Sequence, residues 1–86
     1  MTVNLPNQLD SIRTREDFLA FVQGLSNDLR DNSKGWENAD LGLFLSALGA
    51  WVGDMDGYYK NRGERIPQQL DWKILAQMLW AARIYE

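Results

Sequence analysis

The chain has 86 residues, 45% of them hydrophobic, with four Trp, three Tyr and three Phe, and carries a net charge of −3. That much apolar material excludes a disordered chain and predicts one small domain, near the size where a single core just suffices for folding. With no cysteine and no histidine, the sequence also excludes disulfide frameworks, zinc sites of the usual kind, Ser-His-Asp and Cys-His nucleophile systems, and histidine acid–base catalysis.

The acidic balance argues against nucleic acid as a partner, because phosphate binding needs a concentrated basic surface. The opening MTVNLPNQLDSIR has no basic-then-apolar leader pattern. The longest uncharged run, 41–53, is thirteen residues, too short to span a bilayer. The expectation is a cytoplasmic protein with no membrane partner and no cofactor.

In chain order, residues 1–13 read as an N-terminal arm. Thr14-Arg-Glu-Asp17 then has the form of a capping box, and the acidic residues at 16 and 17 suit a helix N-terminus. Phe18, Phe21, Val22, Leu25 and Leu29 recur every three or four residues, which predicts a helix over 15–32 with Gly35 as its terminator. Asn38 is the expected N-cap of a second helix, 39–61, with Asp40 in its first turn. Its expected core stripe is Leu41, Phe44, Leu45, Leu48, Trp51, Val52, Met55 and Tyr59. Asn61-Arg62-Gly63 reads as its C-terminus, and Pro67 bars continuation. After an irregular connection over 62–71, Asp71 caps a third helix, 72–85, that turns Trp72, Leu75, Ala76, Met78, Leu79 and Ala82 to the core. No segment alternates with period two long enough for a strand, so the predicted fold is all-α, a compact bundle of three main helices in one domain.

The back of helix 2 is unusual. Gly42, Ser46, Gly49, Gly53 and Gly57 fall within an arc of about 80° on a helical wheel, and no charged residue stands between 41 and 53. Each interior glycine costs roughly 1 kcal/mol against alanine, a loss that close packing of another backbone offsets. Two coverings are open. In one, helices 1 and 3 and the arm bury helix 2 from all sides; in the other, the stripe meets its own copy across a two-fold axis. Off-stripe Ile74, Trp80, Ile84 and Tyr85 on helix 3 favour association, and Gly42, Ser46, Gly49 and Gly53 are the candidate interface.

Residues 54–64, DMDGYYKNRGE, look most like chemistry. An EF-hand loop started at Asp54 keeps Asp56 at its third position but has Tyr58, Tyr59 and Arg65 where an oxygen ligand, glycine and glutamate belong. Asp54 and Asp56, two apart on a helix, point roughly 160° away from one another, so they cannot act as a catalytic pair. A local reading explains more. Asp56 and Lys60 have the favourable surface-pair spacing, Tyr59 continues the core stripe, Tyr58 sits at its edge, and Asn61 and Gly63 end the helix. Aromatics with arginine are common binding anchors, so Trp36, Asp54, Asp56, Tyr58, Asn61 and Arg62 are the candidate binding residues. Trp36 has a second reading as a lid over the core.

The strings WEN (36–38), DMDGYY (54–59) and AARIYE (81–86), with Trp51, Asn61, Gly63, Pro67 and Trp72, resemble a family of short bacterial proteins of unknown function, over roughly residues 14–86. The resemblance marks Asp54, Gly57, Tyr58, Tyr59, Asn61, Gly63 and Glu86 as family-typical. It implies a compact helical domain and an accessory role, such as mobile-gene cargo or an immunity-like partner, and it supplies no catalytic residues.

The reading taken forward is a small protein- or ligand-binding interaction protein, a homodimer through helix 2, recognising a partner at the 54–65 end with Trp36. Its acidity suits opposition to a basic partner surface. The alternative is a small-molecule-binding protein or enzyme with an aromatic pocket using Asp54, Tyr58 and Arg62.

Overall fold

The computed structural model describes residues 8–85. Three helices carry the fold: α1 (Arg15–Asp31), α2 (Leu41–Asn61) and α3 (Trp72–Ala82), with a 3-10 turn at Ser33–Gly35. The all-α bundle is as the periodicity predicts.

The helix starts follow local side-chain chemistry. The Thr14 hydroxyl accepts from the Asp17 N–H at 3.1 Å, and the Asp17 carboxylate accepts from the backbone N–H groups of Arg13 at 3.0 Å and Thr14 at 3.3 Å. These bonds, that from Arg13 foremost, hold the Asp17 carboxyl below the usual carboxylate range. Asp71 Oδ1 likewise accepts from the Ile74 N–H at 2.8 Å and starts α3. At α2 the cap is Asp40, whose Oδ1 accepts from the Leu43 N–H at 2.8 Å, and not Asn38 as expected. Asn38 is engaged elsewhere. Its side-chain amide donates to the carbonyls of Ala82 at 3.0 Å and Tyr85 at 2.9 Å, and its backbone N–H donates to Arg83 at 2.9 Å.

The helix ends differ from expectation in two places. Gly35 lies beyond the end of α1 inside the 3-10 turn, and α1 instead closes at Asn32, whose N–H donates to the Asp28 carbonyl. Helix α3 ends at Ala82, with Arg83 still at helical φ −58° and ψ −35°, and Asn38 takes up carbonyls that a longer helix would satisfy with its own N–H groups. The end of α2 is as predicted: Gly63 has φ 69°, the one left-handed residue among those described, and the Gly63 and Glu64 N–H groups close on Lys60 and Tyr59.

Helices α1 and α2 each pack on α3 and not directly on one another. The core cluster joins Phe21 and Leu25 of α1, Ala76 of α3, Trp36 of the connection, and Leu9 and Ile12 of the arm, with Phe18, Leu29, Phe44, Leu79 and Trp80 against it. The arm therefore supplies core residues that periodicity alone does not reveal. Residues 1–7 of that arm lie outside the described residues.

Helix α2 turns inward a narrower stripe than expected: Phe44, Leu48, Trp51, Met55 and Tyr59 keep the expected side, joined by Ala47, and three expected core residues do not. Ala47, Trp51 and Tyr59 are buried, whereas Leu41 is 72%, Leu45 54% and Val52 41% exposed. The reason is geometric. From 41 to 53 the helix is apolar or small all round, so hydrophobicity alone selects no face, and contact with α3 selects the side of Ala47 and Trp51. No helix among the described residues is long and apolar enough to cross a membrane.

Candidate functional site

Three local arrangements hold the candidate residues. The first surrounds Trp36, at the start of α2. The ring is 8% exposed and lies over Phe44 with centroids 6.0 Å apart. Its indole N–H donates to Asp28 Oδ2 at 2.7 Å. With Asn38 bound to the end of α3, the WEN string ties the connection to both α1 and α3. Trp36 thus occupies the covering position over the core, and its polar atom is bonded within the chain. It is not brought together with the 54–65 end. Residues 44 and 58 are fourteen apart on α2, which places their ends of the helix roughly 20 Å apart along its axis.

The second arrangement is the far end of α2, where it meets α3. Tyr59 is 3% exposed and its hydroxyl donates to Gln77 Oε1. Burial pushes its phenol up to about 12, with nearby Tyr58, Glu64 and Asp71 adding to the effect and Arg62 opposing it. Tyr58 is 38% exposed. Its ring stands 5.7 Å from that of Trp51 and edge-on to Tyr59 at 5.1 Å. The Arg62 guanidinium lies 5.1 Å from the Tyr58 centroid and pairs with Glu64 Oε2 at 3.2 Å, a hydrogen bond that raises the Arg62 pKa. Asp54 Oδ2 accepts from the Tyr85 hydroxyl, and that bond, more than burial, raises the Tyr85 pKa.

These rings wall a cleft of about 410 Å³ between α2 and α3, lined by Trp51, Tyr58, Gln77, Trp80, Ile84 and Tyr85. Of the candidate binding residues, Tyr58 lines this cleft, whereas Asp54 and Arg62 lie outside the lining and reach it through the Tyr85 hydroxyl and the Tyr58 ring; Asp56 and Asn61 are exposed on α2. The ion pair expected between Asp56 and Lys60 does not close; the ion pairs among the described residues are Arg62–Glu64 and Lys73–Asp10. Among the described residues no group of three His, Cys, Asp or Glu side chains converges. Gln77, Trp80 and Tyr85 belong to the cleft yet were not among the candidate binding residues. The signal for Trp80 and Tyr85 was present, as aromatics off the main stripe of helix 3.

The third arrangement is the outer face of α2. A Cβ built on Gly49, Gly53 or Gly57 meets nothing within 4 Å, and on Gly42 only Asp40 Oδ1 at 3.5 Å. Ser46 is exposed beside them. Among the described residues, then, no backbone approaches the glycine stripe and neither α1 nor α3 covers it; residues 1–7 of the arm, part of the expected covering from all sides, lie outside the described residues. Leu41, Leu43, Leu45 and Val52 extend the same helix as exposed apolar surface.

The model of a family described as "Family of unknown function (DUF7660)" matches residues 14–86. No curated protein and no solved structure matches the chain.

Proposed function

The chain belongs to this family of unknown function, and we propose that it is a non-catalytic interaction protein that pairs with a second copy of itself through the outer face of α2. One observation carries the reading: α2 has no charged residue between 41 and 53, yet its glycine Cβ positions face open space and four of its large apolar side chains are exposed. A solvent-facing helix surface is ordinarily charged, and large exposed apolar patches mark interaction sites. The glycines give up helix propensity in a place where packing among the described residues returns nothing. Close approach of a second α2 across a two-fold axis supplies the missing contacts, with the same patch on both partners.

The resemblance of the WEN, DMDGYY and AARIYE strings suggests a bacterial accessory protein, immunity-like or carried as mobile-gene cargo. The net charge of −3 suits a basic protein partner. The aromatic cleft favours a second reading, a small-molecule-binding protein, because its volume is in the range of ligand pockets. Sedimentation equilibrium across a dilution series tests the first reading. A mass of twice the 9.9 kDa chain, falling reversibly on dilution, supports it, and the single-chain mass at every concentration overturns it.

A further inference from the structure

We propose that the cleft between α2 and α3 binds a small organic cation of the alkylammonium class against the rings of Trp51, Tyr58, Trp80 and Tyr85, with the Asp54 carboxylate, bonded to Tyr85 outside the lining, as its counter-charge. The inference is independent of self-association. Trp51 and Gly49 lie roughly 160° apart around α2, so the cleft and the glycine stripe are on opposite sides of the helix.

The first argument is the lining. Four of the residues lining this cleft are Trp or Tyr, and none is charged. Aromatic faces are electron-rich and attract cations, and a cage of several rings is the usual way proteins hold a quaternary ammonium. An alkylammonium also presents methyl or methylene groups that the same rings and the aliphatic Leu9 and Ile84 desolvate favourably. A carboxylate ligand would find no lysine or arginine in the lining and would meet ring faces of its own sign.

The second argument is charge. Asp54 stands behind the Tyr85 hydroxyl and accepts its hydrogen bond. That bond places a carboxylate directly behind a ring that lines the cleft. The nearby positive groups are compensated or turned elsewhere: Arg62 is paired with Glu64, and Arg83 donates from Nε to the Trp80 carbonyl at 2.9 Å.

The third argument is that the chain already uses these rings as cation receptors. The Arg83 guanidinium lies 3.5 Å from the Trp80 centroid and that of Arg62 lies 5.1 Å from Tyr58. Neither arginine lines the cleft, so both cations sit outside it. An entering ammonium therefore repeats a contact that the fold makes on two of these four rings.

The test is an NMR titration of the full chain, following the indole N–H signals of all four tryptophans. The probes are choline chloride, its neutral isostere 3,3-dimethylbutan-1-ol, and sodium chloride as an ionic-strength control. The proposal expects saturable shifts of Trp51 and Trp80 with choline, smaller and unsaturated shifts of Trp36 and Trp72, and at least tenfold weaker binding of the isostere. Asp54→Asn and Tyr58→Leu, both at exposed positions, are expected to weaken choline at least threefold while keeping the wild-type melting temperature within a few degrees. Equal binding of choline and isostere overturns the proposal in favour of a plain apolar cleft. No saturable shift with choline, or full affinity in Asp54→Asn, overturns it as well.

Discussion

The indole N–H of Trp36 and the carboxylate of Asp28 meet at 2.7 Å, eight residues apart in the chain. This bond fixes the connection after α1 back onto α1 itself, and it orients a ring that stacks on Phe44 of α2. A hydrogen bond to a charged acceptor contributes about 1.5–3 kcal/mol. Trp36→Phe keeps much of the ring and loses the bond, so it should lower unfolding free energy by roughly 1.5–3 kcal/mol. In a double-mutant cycle Asp28→Asn should cost little more once Trp36 is Phe. Additive losses in urea unfolding would mean that the two residues do not act as a pair.

Asn38 gives a sharper prediction, because its amide donates to two carbonyls at the end of α3. Asn38→Ala removes both bonds and should cost about 1–3 kcal/mol. Asn38→Asp should cost more than alanine, since a carboxylate has no proton to donate and would face the negative end of a helix. Hydrogen exchange at residues 82–85 should accelerate in both variants. An aspartate variant as stable as wild type would contradict the assigned role.

How much of this was legible in the sequence differs between helix ends and helix faces. Thr14, Asp71 and Gly63 act through bonds to residues three or four positions away, so spacing alone identified them. Asn38 was read as a cap by the same logic and misplaced, because its partners are 44 and 47 residues distant. Its true role depends on tertiary packing. The inward face of α2 was misread at Leu41, Leu45 and Val52, since a helix apolar all round has no preferred side until a neighbour selects one. The site was partly legible: Tyr58 lines the cleft, with Asp54 and Arg62 just outside it, but Gln77 and Trp80 of α3 and Tyr85 beyond its end complete the lining, and no local pattern encodes the crossing angle that brings them there.

Tyr59 makes stability depend on alkaline pH. Its folded pKa is about 12 against about 10 for a free phenol, so folding favours the neutral form. The associated stability is fully present below about pH 10 and is lost progressively as the pH rises toward about 12. Tyr59→Phe removes the titration and the bond to Gln77. It should be less stable than wild type at neutral pH by roughly 1–2 kcal/mol, and its melting temperature should fall less steeply above pH 10. Parallel slopes for the two proteins would remove Tyr59 as the cause.

Gly53→Ala separates the free helix from the paired one. Nothing lies within 4 Å of its added Cβ inside the chain, so at dilutions that favour the monomer it should stabilise by up to about 1 kcal/mol. At concentrations that favour pairing, the methyl holds two backbones apart and should weaken association. A thermal melt at low and high protein concentration reads both effects. Equal stabilisation at the two concentrations would place Gly53 outside the interface.

The most direct measurement is solution mass by light scattering over a dilution series, on the wild type and on Gly49→Glu. A glutamate side chain at 49 meets open space in the single chain, so the variant should remain folded with wild-type helical circular dichroism. The account predicts a dimer for the wild type and a folded monomer for Gly49→Glu. A wild type that is monomeric throughout, or a dimer that Gly49→Glu leaves intact, would contradict pairing through α2.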